Sequence, residues 1–415
     1  MSNFYQRKVA QESVGEDIVP DNTELPMDSV EGVLNEVASD TAAIDQMDSE
    51  AATLEEDAQE VDEQYQQVDD TIKAAEAGEE DVAEDMPEEA VQAIDVAQES
   101  IRRRWGLNHR QTLARESYGR GNRRHAVRES LWEDIKAFFR RIWEWLKAQG
   151  RKLKDRWINF HNQGKTIQKR SKKFDAAIRQ LGSKKQDEVK GAFIKQLTQA
   201  GKFQGDNIAE LNNTLADTEG VNTVTANMLD SATKSVEALA TASNLDNIGN
   251  VHFKPNAASH IGDFGKAGTH PGLGNRVLKV EIEGDDWNIS IVDGEADVPS
   301  DVKTPSIQQL NSLNTFYNKL GIEVEKRAKA YEKVNAAREK MQSGIEKLLN
   351  KIDKLDAKDN ASLVEKIRLV RAEVSKVSTV VGVMERGQAS DMTNLTSGVN
   401  GYISAGIAAY EKRKG

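Results

Sequence analysis

The sequence predicts a mainly α-helical protein: a disordered acidic leader, basic amphipathic helices, then an elongated antiparallel helical bundle or coiled coil with one inserted β-hairpin. Three observations carry this prediction. Charge is segregated along the chain, with a net of -27 over residues 1–99, +17 over 100–190 and -2 over 191–415. Apolar residues step by three or four through several long stretches, which is helical spacing. One short stretch alternates instead, with period two.

The acidic leader, residues 1–99, holds 30 acids, 3 bases and no Trp. Self-repulsion and scarce apolar surface predict that most of it does not fold alone. Weak helical spacing at Ala51, Leu54, Ala58 and Val61 predicts transient helices with acidic faces. The whole chain of 415 residues has no Cys, which excludes disulfides, a thiol nucleophile and Cys-ligated zinc. No run of about 18 apolar residues predicts a membrane span. The N-terminal MSNFYQRKVAQESVGED lacks an apolar core, so no secretory signal is expected.

A tetrapeptide recurs where the charge changes sign. It reads Ala97-Gln98-Glu99-Ser100, Ala114-Arg115-Glu116-Ser117 and Val127-Arg128-Glu129-Ser130, with a further copy at Ala10-Gln11-Glu12-Ser13. Residues 100–129 are rich in Gly, Arg and His and read as an unstructured linker, which a protease groove would accept as an extended segment. The three clustered copies resemble the maturation sites of prohead proteases in giant tailed phages of the phiKZ type, which cut after Glu in a Ser/Ala/Gly-x-Glu consensus. The Val127 copy departs from the small-residue preference. The layout of residues 1–130 resembles that of the internal head proteins of those phages. The resemblance implies an acidic propeptide over 1–99, a processing linker over 100–129, and cuts between Glu99 and Ser100, Glu116 and Ser117, and Glu129 and Ser130. It further implies a virion protein of the capsid interior. Its partners would be a prohead protease, other capsid or inner-core proteins, and non-specifically bound double-stranded DNA.

Residues 130–190 are predicted as basic aromatic amphipathic helices, opened by a Ser130/Glu133 capping box. Five of the six Trp fall between residues 105 and 157. Interleaved with and following them are Lys136, Arg140, Arg141, Lys147, Arg151, Lys152, Lys154, Arg156, Lys169, Arg170, Lys172 and Lys173. Three readings fit: an apolar stripe packed on later helices, phosphate contact with counterion release, or a membrane-surface helix. The first two are compatible.

Residues 191–303 are read as a helical segment (the helical pattern running over 184–246), a Gly-rich loop over 247–275 and a β-hairpin at about 276–293. Residues 304–415 are read as a long-helix bundle. Thr304 is the expected N-cap and Pro305 the first helical residue of a helix to about 356. Ser362/Glu365 would cap a second helix to about 386, and an Ala/Gly-rich third helix would cover 394–412. Antiparallel pairing, including self-association through these helices, is expected from the pattern.

No catalytic constellation is present. Gly268, Gly272 and Gly274 make neither a P-loop nor a dinucleotide fingerprint. His260, Asp263 and His270 match no metal-ligand spacing and read as a polar loop. No enzyme activity, cofactor or metal is expected. The alternatives to the phage reading are a coiled-coil adaptor with a regulatory acidic tail and a membrane-surface protein acting through the Trp-rich helix.

Overall fold

A computed structural model describes residues 53–54, 56–58, 60–77, 86–107, 123–241, 267–283, 286–354 and 361–413. All of them belong to one compact unit, Thr41–Gly415. The chain is mainly helical. The helices are α1 (60–76), α2 (Glu88–Trp105), α3 (Arg123–Ile178), α4 (Phe193–Gln196), α5 (Ile208–Asp217), α6 (Val221–Thr241), α7 (Ile307–Ile352) and α8 (Ala361–Ala408).

Helix α7 is the spine. Leu310, Leu313, Tyr317, Leu320, Val324, Tyr331, Val334, Met341, Ile345, Leu348 and Ile352 are all buried along it. At 1.5 Å per residue its 46 residues reach about 69 Å. Helix α3 packs on it most extensively, followed by α6. The α3 pairing is antiparallel. Arg140 meets Asp353, Trp157 stacks on Tyr331 at 5.3 Å, and Ser171 Oγ bonds Asn314 Oδ1 at 2.9 Å. Helix α6 runs parallel to α7, since Asn222 bonds the Arg327 carbonyl and Lys351 bonds the Leu239 carbonyl. Helix α8 runs antiparallel to α7 through Arg338–Glu385 and Tyr317–Asn400. Four long helices thus share one core.

Several boundaries differ from those expected, each for a local reason. Ser130 is not an N-cap: α3 starts at Arg123 because Ala126 and Val127 are already buried and continue the apolar stripe. Helix α7 is capped by Ser306, not Thr304. The Ser306 hydroxyl accepts from Gln309 N at 3.2 Å and Gln309 Oε1 accepts from Ser306 N at 2.8 Å. Thr304 is engaged elsewhere, donating to the Gln186 carbonyl. Helix α8 does not break near 387. Residues 381–390 are all buried, and Gln388 donates to the Thr218 carbonyl at 2.8 Å, so tertiary contact holds the polar Gly387-Gln388-Ala389-Ser390 stretch helical.

The span 184–207, read as helical, instead holds short strands and α4. These are β1 (Leu181–Lys184), β2 (Glu188–Val189), β3 (Thr198–Gln199) and β4 (Lys202–Phe203). Positive φ at Ala200 (47°) and Gly201 (74°) turns the β3–β4 hairpin and stops any helix. The predicted hairpin is present as β6 (Arg276–Glu283) and β7 (Asp286–Asp293), with Arg276 opposite Asp293. A third strand, β5 (Gly268–Gly272), pairs antiparallel with β6 inside the region read as loop. Its Gly and Pro content hides it, and Pro271 is tolerated because β5 is an edge strand. Strands β8 (Val302–Lys303) and β9 (Tyr410–Lys412) pair with β2 and β1 respectively.

Two described stretches of the leader are helical, where the sequence predicted at most transient helices. Residues 60–76 form a helix whose Val61, Tyr65, Val68 and Ile72 are buried at steps of 4, 3 and 4. Segment α2 is helical as well, with Glu88 and Glu89 in its first turn and Arg102, Arg103 and Arg104 in its last, as the macrodipole favours. Gly106 ends it at φ 62° in a Schellman arrangement, Leu107 N bonding Arg102 O at 2.9 Å.

The α3–α7 crossing makes a testable demand. A Cβ on Gly321 would sit 2.8 Å from the Gly164 carbonyl oxygen. Gly321→Val is therefore expected to destabilise the fold by about 1–3 kcal/mol through overpacking, read as a lower Tm. An unchanged Tm would show that the helices are not in close contact there.

Candidate functional site

Two of the three candidate cleavage bonds lie inside helices. Glu99 and Ser100 are in the second half of α2, where Glu99 pairs with Arg103. Glu129 and Ser130 are in the early turns of α3, with Ser130 buried. Residues 116 and 117 lie outside the described residues. The expectation of an unstructured linker over 100–129 therefore fails at both ends. Arg102 joins the two sites. Its Nε donates to Asp134 Oδ1 at 2.7 Å, and its Nη2 to Asp134 Oδ2 at 2.5 Å, Gln98 Oε1 at 3.2 Å and Ser130 Oγ at 3.3 Å. One guanidinium thus ties the residue before Glu99 to the residue after Glu129. An extended protease substrate would require these turns to unwind.

The basic residues of α3 divide into two groups. Lys136 is buried, bonded to Glu133 at 2.8 Å and over the Trp132 ring. Arg140 pairs with Asp353; Arg141 pairs with Glu144 at 3.3 Å and lies over Trp105. Lys147 lies over Trp143, Lys154 is 3.9 Å from Glu339, and Arg170 lies over Phe174. Arg151, Lys152, Lys169, Lys172 and Lys173 are exposed. The Arg156 side chain lies outside the described residues. Trp132 and Trp157 are buried, and Trp143 donates to the Gln342 carbonyl, so this aromatic face packs on the bundle. No described helix is long and apolar enough to cross a membrane.

A second cationic cluster was not legible in the sequence. Asp62 on α1 pairs with Arg371 of α8 and lies 3.3 Å from Arg368 Nε. Arg371 also donates to the Ala58 carbonyl at 3.1 Å, and Arg368 lies over the Tyr65 ring. Asp69 sits 3.3 Å from Arg128 of α3. Asp57 accepts from Arg104 at 2.8 Å and from Trp105 Nε1 at 2.6 Å. Burial pushes the Asp62 carboxyl above its ordinary range despite both arginines. The only sequence signal was the seven-residue spacing of Asp62 and Asp69, which puts both near the apolar stripe of α1.

A cavity of about 140 Å³ lies between α5, β5, β6 and α8, lined by Asp217, His270, Arg276, Ser390 and Asp391 among others. Arg276 donates to Ser390 Oγ at 2.9 Å. His260 and Asp263 fall outside the described residues, and no His/Asp/Glu group suited to a metal ion occurs among the described ones. Burial pushes Asp391 up to about 7, opposed by Arg276 and aided by Asp217. Burial likewise pushes Glu373 up to about 7, against its bond from Ser235. Both carboxyls protonate more readily folded than unfolded. Their contribution to stability is full below the ordinary carboxyl range and is lost as pH rises through about 7. Tm should therefore fall between pH 5 and 8, and Asp391→Asn with Glu373→Gln should flatten that fall. An equally steep fall in the double variant would mean that these groups do not titrate as described.

No curated protein and no solved structure matches the chain. The model of the phiKZ-like phage internal head protein family matches residues 39–412, which spans the leader helix, the bundle and the inserted sheet. With nearly the whole chain covered, this protein belongs to the phiKZ-like phage internal head proteins.

Proposed function

We propose that the chain is made as a precursor. Its acidic propeptide is removed by a prohead protease after Glu99, Glu116 or Glu129, and its basic mature chain stays with packaged DNA inside the head. The observation that carries this reading is the charge division. Residues 1–99 hold a net of -27, whereas residues 130–415 hold 44 bases and 36 acids, a net of +8. Removing the leader inverts the sign of the molecule, and a cationic body binds a polyanion through counterion release. The exposed Arg151, Lys152, Lys169, Lys172 and Lys173 suit non-specific phosphate contact. Lys136, Arg140 and Arg141 serve the fold in this reading, because each already has a carboxylate partner. Partners are the protease, double-stranded DNA and neighbouring capsid or inner-core proteins. The role is structural, with no chemistry assigned to the chain itself.

The helical setting of Glu99 and Glu129 adds a requirement to this reading. Local unwinding of α2 and the start of α3 must precede cleavage. Mass spectrometry of the protein extracted from virions should find a mature N-terminus at Ser100, Ser117 or Ser130. Replacing Glu99, Glu116 and Glu129 together with Gln should leave the leader attached. An intact N-terminal segment on the wild-type virion protein would overturn the proposal.

A further inference from the structure

We infer that Arg368 and Arg371 of α8 form a phosphate-binding site for DNA that the chain's own Asp62 occupies while the leader is docked. The inference rests on the reading of the mature body as DNA-associated and adds a site that the exposed bases of α3 do not include. The two arginines stand three residues apart on one helix, so their guanidinium groups lie on the same face. Both converge on one carboxylate, that of Asp62. Arg371 is 2% exposed at its side chain and Arg368 12%, with α1 supplying cover through Asp62 and Tyr65, and Ala58 just before it through its carbonyl.

The chemistry of the pair fits phosphate. Arg forks bind planar or tetrahedral oxyanions with paired N–H donors, and a phosphodiester offers two such oxygens with one negative charge. Asp62 presents the same features at the tip of a helix side chain, so α1 mimics the ligand. The mimic is an imperfect one. Burial raises the Asp62 carboxyl, which means that the charged form is held in a poorly solvated place. A solvent-facing phosphate backbone would satisfy the same two cations without that cost. Asp69 on Arg128 of α3 anchors α1 two turns further along the same face. Cutting the chain at residue 99 leaves α1 as a separate piece held by these contacts, so competition for Arg368 and Arg371 would decide whether it leaves.

The test uses the full, uncleaved chain, so it does not depend on where or whether a protease cuts. Asp62→Asn with Asp69→Asn should loosen α1 and tighten binding to a labelled DNA duplex at low salt, with far-UV circular dichroism that falls by no more than the helix of α1 contributes. Adding Arg368→Gln and Arg371→Gln should cancel the gain and lower the slope of log K against log salt by about 0.9, the value for the one phosphate that the pair shares. A gain that survives the arginine changes would overturn the site, as would no gain from the Asp changes in a folded chain. Should the Asp variants unfold, the wild-type chain answers the same question. Saturating duplex DNA should speed cleavage by a Glu-specific protease after Glu60, Glu63 or Glu76 by displacing α1, and an unchanged rate sinks the proposal. If the mature body fails to bind DNA at all, the broader reading falls as well. If it binds with Arg368 and Arg371 replaced as tightly as without, only this site does.

Discussion

The antiparallel contact of α3 on α7 is the constraint on which the rest of the architecture depends. It runs in one register from Arg140 opposite Asp353 to Phe174 against Tyr317. Close approach at Gly164 and Gly321, where neither residue leaves room for a Cβ, brings the two backbones together. A helix of 46 residues whose apolar seam is this long has little stability by itself, because helix propensity is weak beside tertiary burial. Once α3 and α7 are paired, α6 and α8 have a formed surface to cover. The short strands then tie the ends: β1 at the end of α3 pairs with β9 after α8, and β2 pairs with β8 just before α7.

Inside that bundle one ion pair is wholly dry. Arg338 Nη2 meets Glu385 at 2.5 Å, and Arg338 Nη1 donates to the Tyr331 hydroxyl at 2.8 Å. Burial pushes the Glu385 carboxyl up, with Arg338 opposing. Such a pair contributes little net stability, since desolvation offsets the attraction, but losing one partner leaves a buried charge and costs about 3–5 kcal/mol. Its physical consequence is selectivity of register: sliding α8 by a turn along α7 would strand both charges. The Trp157 ring, stacked on the same Tyr331, couples α3 to this point as well.

The sequence was legible wherever local pattern and tertiary demand agree. The seam of α7, the hairpin of β6 and β7 and the amphipathic character of α3 follow from spacing alone. Where they disagree, tertiary contact wins. The polar stretch at 387–390 remains helical because the bundle encloses it, and the helical periodicity of 184–207 gives way to glycine-driven turns. The candidate site was partly legible. The charge division and the repeated tetrapeptide pointed to the family, but composition could not show that one acid of the leader has arginine partners more than 300 residues away. Asp62 and Arg371 are separated by 309 positions, and no local signal spans that distance. The same pairing explains why a segment too acidic to be expected to fold alone is helical here: the body supplies the apolar surface and countercharge that α1 lacks.

This member of the phiKZ-like internal head proteins is thus a helical body on which α1 of the acidic leader is docked. That docking is the central claim, and amide hydrogen exchange on the full-length chain tests it most directly. Residues 61–72 of α1 should exchange slowly, in step with residues 367–384 of α8, because opening one exposes the other. Exchange in α1 at the rate of an unstructured peptide, beside a protected α8, would contradict it.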